Sequence, residues 1–306
     1  MSSQNIEYTN LEENEVKFAQ GNEFNLKRRL TVQKAKRLTK HSILYMILII
    51  IAIIMVLPLW SGIMSALKTQ ADLAQTLPFA PPTTLVFDGF IASYNELIRP
   101  LFNSILFTSI ATILSCLLGS ICGFVVAKLK FRGSNTVFLL LTIGIFLPYQ
   151  SIIIPLFITI RNLGIYDSLW AMVLVHTIYG IPMTTLLFRS YYESIPESLF
   201  KAAKVDGAGI MTIYQRIILP LSPLPFVVAG VFQFTSIWND YLFALTLTNI
   251  NFEPASFALS NIAGSTETAW NNVMAGSFLY SLPVIIIFVL LGKYLMQGLM
   301  AGAVKG

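Results

Sequence analysis

Six long apolar stretches, at about 43–66, 104–127, 136–159, 168–188, 221–246 and 274–296, limit what this chain can fold into. Each is long enough to cross the hydrocarbon core of a bilayer as a helix, which takes about 20 residues. Lipid offers no partner to backbone N–H and C=O groups, so a crossing segment must satisfy them internally, as an α-helix does. The expected fold is an all-α membrane protein with six transmembrane helices. Of 306 residues, 55% are hydrophobic and 11% charged, and mean hydropathy is +0.71. Soluble domains carry about 25% charged residues, so a soluble fold is excluded. The polar segment 1–40 is too long for the charged region of a cleavable signal peptide, so the first stretch is expected to stay as an anchor.

Charge between the stretches sets an expected orientation. The segment before the first stretch carries Lys17, Lys27, Arg28, Arg29, Lys34, Lys36, Arg37 and Lys40. Lys128, Lys130 and Arg132 follow the second, and Arg189, Lys201, Lys204 and Arg216 follow the fourth. The loop after the first has only Lys68 and Arg99 against Asp72, Asp88 and Glu96. Arg161 faces Asp167 after the third, and the loop after the fifth has Glu253 and Glu267 with no Lys or Arg. Basic residues mark cytoplasmic loops, so both termini are expected in the cytoplasm. The net charge of +5 is spread over these loops with no aromatic-studded basic face, so the lipid bilayer rather than a nucleic acid accounts for it.

The expected organisation is a cytoplasmic tail over 1–40, a first anchor over 41–67, an outer loop over 68–103, a transmembrane core over 104–297 with an inner loop at 190–220, and a tail at 298–306. Prolines 58, 148, 155, 182, 223, 225 and 283 fall within the apolar stretches, where each removes a backbone donor and favours a kink. Cys116 and Cys122 are six apart in one apolar stretch, on roughly opposed helix faces, and read as small core residues.

Nothing catalytic is visible. The two histidines, His41 and His176, belong to no metal or nucleophile pattern, and the phosphate-cradling G-x-x-x-x-G-K-[ST] loop is absent. The informative polar element is the loop between the fourth and fifth stretches. Ser194-Ile195-Pro196-Glu197 has the form of a capping box, Leu199, Phe200, Ala203 and Val205 supply an apolar face, and Gly207 is placed to end the helix at positive φ. Residues 209–219 follow as a second helix, with Tyr214, Ile217 and Ile218 apolar. In the fifth stretch, Trp238-Asn239-Asp240-Tyr241 contains an isolated acid. Such a residue reads either as part of a solute path or as a helix-packing hydrogen bond. Trp238 and Tyr241 read either as stacking platforms for a sugar ring or as interfacial anchors.

The pattern Lys201-Ala202-Ala203-Lys204-Val205-Asp206-Gly207-Ala208, followed by Ile217, Leu219 and Pro220, resembles the EAA loop of importer-type ABC permeases. Asn103-Ser104, Trp238-Asn239-Asp240 and the terminal Gly298–Gly306 segment resemble the maltose-type carbohydrate branch, and the likeness covers about 40–306. It implies a bacterial inner-membrane permease subunit whose loop, including Glu197, serves as a cytoplasmic coupling helix between spans four and five. The implied partners are a second homologous permease, two ATPase subunits docked on the coupling helices, and an extracytoplasmic sugar-binding protein. No cofactor is expected on this chain; ATP and Mg would sit on the ATPases. Lys201 departs from the pattern, standing where the family's Glu usually stands. The alternatives are an ABC permease for glycerol phosphate, amino acids or peptides, or an ion-coupled secondary transporter.

Overall fold

The computed structural model describes residues 40–129, 131–264 and 269–303, with side chains as far as 295. The expected tail over 1–40 lies outside these apart from Lys40, as does the end of the chain from 304. The chain divides into two compact units, 1–61 and 62–306. Helix α1 (Lys40–Ala66) is the first expected span. In the first unit its apolar side chains from Ile43 to Trp60 stand exposed, as on a helix facing lipid.

In the second unit the expected outer loop ends early. Only residues 68–87 are loop-like, around a short α2 (Gln70–Gln75). Buried Lys68 organises this segment: its Nζ donates to Thr76 Oγ1 at 2.8 Å and to the Leu77 carbonyl at 2.7 Å. From Asp88 the chain is already helix, and α3 (Asp88–Lys128) runs 41 residues through Pro100. At about 1.5 Å per residue, that is roughly twice the thickness of a bilayer core. Part of α3 therefore projects beyond the apolar layer, where a loop was expected.

The second unit is built on α3 packed against α6 (Leu169–Ser194). Glycine makes the close approach possible. A Cβ on Gly119 would lie 2.0 Å from Thr184 Oγ1, and one on Gly123 would lie 2.8 Å from Phe188 Cβ. Small residues at helix contacts are what membrane helices use, since lipid removes the usual hydrophobic drive to associate. Thr184 Oγ1 then lies 2.8 Å from the Gly180 carbonyl in its own helix and 2.9 Å from the Ser115 carbonyl of α3. Cys116 is buried and Cys122 half-buried, both as free thiols.

Two expected spans are broken. The third is α4 (Ser134–Phe146), a 3-10 turn (Tyr149–Ile152) and α5 (Ile153–Asn162), bent by 90°. Pro148 explains the break, because it lacks an N–H and drives Leu147 into an extended conformation, at ψ 122°. The fifth ends as α9 (Pro223–Trp238) and resumes as α10 (Leu242–Leu247). Pro155, Pro223 and Pro225 sit in first turns, whereas Pro58, Pro182 and Pro283 lie in helices that run on through them. The loop expected over 247–273 contains α11 (Ala255–Ala263). The last helix, α12 (Trp270–Ala303), starts before the expected 274 and enters the glycine-rich terminal segment. Among the described residues, four continuous helices and two bent pairs, the broken third span and Ile210–Ile218 with α9 at 88°, make up to six crossings.

Asp167, at φ 55°, ties two loops together. Its carboxylate accepts N–H from Asn249, Asn251 and Phe252 at 2.6–3.1 Å and from the Asn251 amide at 2.8 Å, while its own N–H reaches the Leu247 carbonyl. Partial burial works against its charge, but the four donors outweigh that and hold its carboxyl below the usual range. The Arg161 guanidinium lies over the Phe157 ring instead, 5.6 Å from its centre.

Candidate coupling helix and solute cavity

The inner loop folds into α7 (Glu197–Val205), α8 (Ile210–Ile213) and one π-helical turn, Tyr214–Ile218. The capping box does not form. Ser194 still belongs to α6, its hydroxyl donates to the Tyr191 carbonyl at 2.6 Å, and Pro196 takes the N-cap with no side-chain bond. Gly207 does end α7, at φ 79°. Its N–H bonds the Lys204 carbonyl at 3.1 Å and the Ala208 N–H bonds the Ala203 carbonyl at 3.0 Å, the paired bonds of a Schellman stop.

One face of α7 is anchored and the other is open. Phe200 and Ala203 are buried against Phe124, Tyr192, Ile213 and Tyr214, with Ala208 packed alongside. Leu199 and Val205, expected on that apolar face, are exposed instead, Val205 to 87%. Lys201 is exposed and lies 3.9 Å from Glu197, one turn earlier. Such a surface pair contributes at most about 1 kcal/mol. Ala202 and Asp206 are exposed too, and Ile210 and Met211 continue the open rim.

The element is fastened to the spans at three points. Lys128, at the end of α3, donates to the Ile195 carbonyl at 2.7 Å. Tyr191 of α6 donates to the Leu221 carbonyl at 2.6 Å, beside Leu219 and Pro220. The third lies in the core, where the Ser120 hydroxyl is 2.6 Å from that of Tyr192 and 2.9 Å from that of Tyr214. Ile218 is buried and Ile217 packs at the edge of the same cluster. The π-turn carries Leu219 N–H to the Tyr214 carbonyl at 2.8 Å. Expecting an ordinary helix over 209–219 missed this extra residue per turn, which sequence periodicity does not reveal.

The second site is a cavity of about 470 Å³ between the broken third span, α6 and α9. Its polar lining comes from Tyr149, His176, Tyr179, Gln233, Ser236, Asn239 and Asp240. The break after Trp238 places the last two there. Asn239 is the C-cap of α9, and its amide donates to the Thr235 carbonyl at 2.9 Å. Asp240 follows in the gap, its Oδ2 accepting the Phe243 N–H at 3.0 Å at the start of α10. Its side chain is 8% exposed and lies 3.8 Å from His176 Nε2. His176 is buried, stacked on Phe107 and edge-on to Phe243.

The structure separates the other two residues of the motif from this cavity. Trp238 is 2% exposed, and its Nε1 donates to the Tyr280 carbonyl at 3.2 Å while the Tyr280 hydroxyl donates back to the Trp238 carbonyl at 2.5 Å. It locks α9 to α12 and offers no ring to a solute. Tyr241 turns toward α11, where its hydroxyl accepts from Ser260 at 3.2 Å. Within the break only Asn239 and Asp240 reach the cavity, while Trp238 packs in the core and Tyr241 stays exposed beside α11. Sequence reading missed Tyr149, His176, Tyr179 and Gln233; a polar residue in an apolar stretch was the available signal for His176 and Gln233. The Asn103-Ser104 pair is structural, with the Asn103 amide donating to the Glu253 carbonyl and Ser104 Oγ accepting the Ala255 N–H.

Broken apolar helices around a polar cavity, with a rigid element fastened beneath them, define a membrane transport protein. Residues 115–300 match the family described as the binding-protein-dependent transport system inner membrane component, and the chain belongs to that family. A probable ABC transporter permease protein of Pyrococcus horikoshii is 49% identical over 269 residues, covering 86% of this chain and 97% of that one. The xylose/arabinose import permease protein of Haloferax volcanii is 36% identical, covering 79% of this chain and 86% of that one. The fold also matches a chain of a bacterial ABC transporter involved in import of the acidic polysaccharide alginate, with a TM-score of 0.71 at 20% identity over 82% of this chain and 94% of that one. The chain is thus a multi-pass membrane permease subunit and not an enzyme, and its transport system includes a separate binding protein. Ion-coupled secondary transport is set aside.

Proposed function

We propose that this chain forms half of the translocation path of an ATP-driven carbohydrate importer and transmits ATPase closure to that path through α7–α8. The carrying observation is the cavity at the break in span five, where Asn239 and Asp240 are held by backbone bonds beside aromatic rings. Carboxylate and amide groups beside rings suit a polyol with apolar faces. The xylose/arabinose relative supports the same substrate class.

The open rim of α7, with Val205, Ile210 and Met211 exposed beside Lys201, is the docking face for an ATPase subunit. Two such ATPases would hold ATP and Mg, and a second homologous permease would complete the path. Lys201, in place of the usual Glu, pairs with Glu197 and presents a positive charge to the ATPase. Both termini face the cytoplasm of a bacterial cell membrane, because the segment before the first span and the loops after the second and fourth carry most of the basic residues.

The test is reconstitution of the complete complex with its binding protein. ATP hydrolysis is expected to rise with neutral sugars and not with amino acids, peptides or glycerol phosphate. Stimulation by one of those other solutes alone would replace the carbohydrate reading.

A further inference from the structure

We propose that this chain's half of the path carries a saccharide subsite, formed by Tyr149, Tyr179 and Asp240, that accepts uncharged sugars and rejects anionic ones. The proposal rests on the carbohydrate reading above and adds a site and a selection rule to it.

Three rings form one wall of the cavity. Tyr149 lies 4.9 Å and Tyr179 5.3 Å from the Phe243 ring, and the two tyrosines are 6.3 Å apart. Both tyrosines are partly exposed in the cavity lining. A sugar ring can lay its C–H face on such a wall while its hydroxyls point sideways. Asp240 supplies the acceptor. It spends positions on the Phe243 and Ala244 N–H groups, and a carboxylate has about four. His176 Nε2 is buried without a hydrogen-bond partner and lies 3.8 Å from Asp240 Oδ2. That gap is long for a direct bond and short enough for one oxygen to reach both.

The charge of the lining sets the selection. It contains Asp240 and no Lys or Arg. A carboxylate or phosphate on the solute would meet an uncompensated negative charge. Two such charges about 6 Å apart, at an effective dielectric near 20, repel enough to weaken binding roughly a hundredfold. The break at Pro148 matters here, because it turns Tyr149 into the cavity from a span that would otherwise continue straight.

The test is equilibrium binding of xylose, glucose, trehalose and glucuronate to the purified permease–ATPase complex without its binding protein, so that the delivery protein does not select first. Wild type is expected to bind a neutral sugar at least tenfold more tightly than glucuronate. Asp240→Asn should narrow that ratio at least fivefold, with complex yield unchanged. Tyr149→Ala and Tyr179→Ala should each weaken neutral-sugar binding about tenfold, while the Phe variants keep most of it. Equal binding of glucose and glucuronate, or an unchanged ratio in Asp240→Asn, overturns the charge rule alone. Unchanged affinity in both alanine variants overturns the ring wall. Binding of none of these sugars would sink the carbohydrate reading itself.

Discussion

Replacing Ser120 with alanine tests whether the coupling segment is held to the spans by a shared hydroxyl. Ser120, Tyr192 and Tyr214 are all buried, and the Ser120 oxygen sits between the two phenols at 2.6 and 2.9 Å. A serine hydroxyl donates once and accepts twice, so at least one tyrosine donates to it. Ser120→Ala removes both bonds and strands the Tyr214 phenol, while Tyr192 keeps the Ser222 hydroxyl. Tyr214→Phe removes one bond and strands nothing, since Ser120 keeps Tyr192. A net bond contributes about 1 kcal/mol and a stranded buried group costs about 1–3 kcal/mol, while hydrogen bonds between membrane helices average nearer 0.6 kcal/mol. The expected losses are therefore about 1–3 kcal/mol for Ser120→Ala and about 1 kcal/mol or less for Tyr214→Phe. The double variant carries a sign test. In the Ser120→Ala background, Tyr214→Phe removes a stranded hydroxyl, so it should be neutral or stabilising, whereas it destabilises the parent. Reversible detergent unfolding of the four proteins measures these differences, and solute-stimulated ATP hydrolysis on the same samples reports coupling. A larger loss for Tyr214→Phe than for Ser120→Ala, or the same cost in both backgrounds, would refute the shared-hydroxyl account.

Gly207→Val should abolish stimulation of ATP hydrolysis while the complex assembles normally. A Cβ at Gly207 meets open space, so the whole penalty is the strain of φ 79°, about 1–2 kcal/mol. Normal stimulation in that variant would make the loop a mere connector. For Asp167, the depressed folded pKa means that its contribution is fully present above the unfolded value of about 3.9 and is lost as pH falls through the lower folded value. Protection of the Asn249, Asn251 and Phe252 amides, taken relative to the intrinsic exchange rate at each pH, should fall across that acid window in the wild type. In Asp167→Ala that protection should be low at every pH, and strong protection there would show that the loop holds itself.

Apolar length and periodicity carried the membrane class, because a bilayer demands long self-satisfied helices whatever packs against them. The stop at Gly207 was equally legible, since positive φ is a local steric property of one residue. The division of labour within Trp238-Asn239-Asp240-Tyr241 was not. Four adjacent residues point in three directions, and only the break between α9 and α10 sends Asn239 and Asp240 to the cavity, Trp238 to α12 and Tyr241 toward α11. Pro148 shows the same limit from the other side. Seven prolines looked alike in the apolar stretches, yet Pro148 marks the 90° bend in span three, while α1, α6 and α12 run on through theirs. Whether a proline bends a helix depends on what neighbouring helices do with the freed carbonyl, and the joining of Ser120 to Tyr192 and Tyr214, 72 and 94 residues away, depends on how three segments meet. Those are properties of packing, set only when distant parts of the chain are brought together.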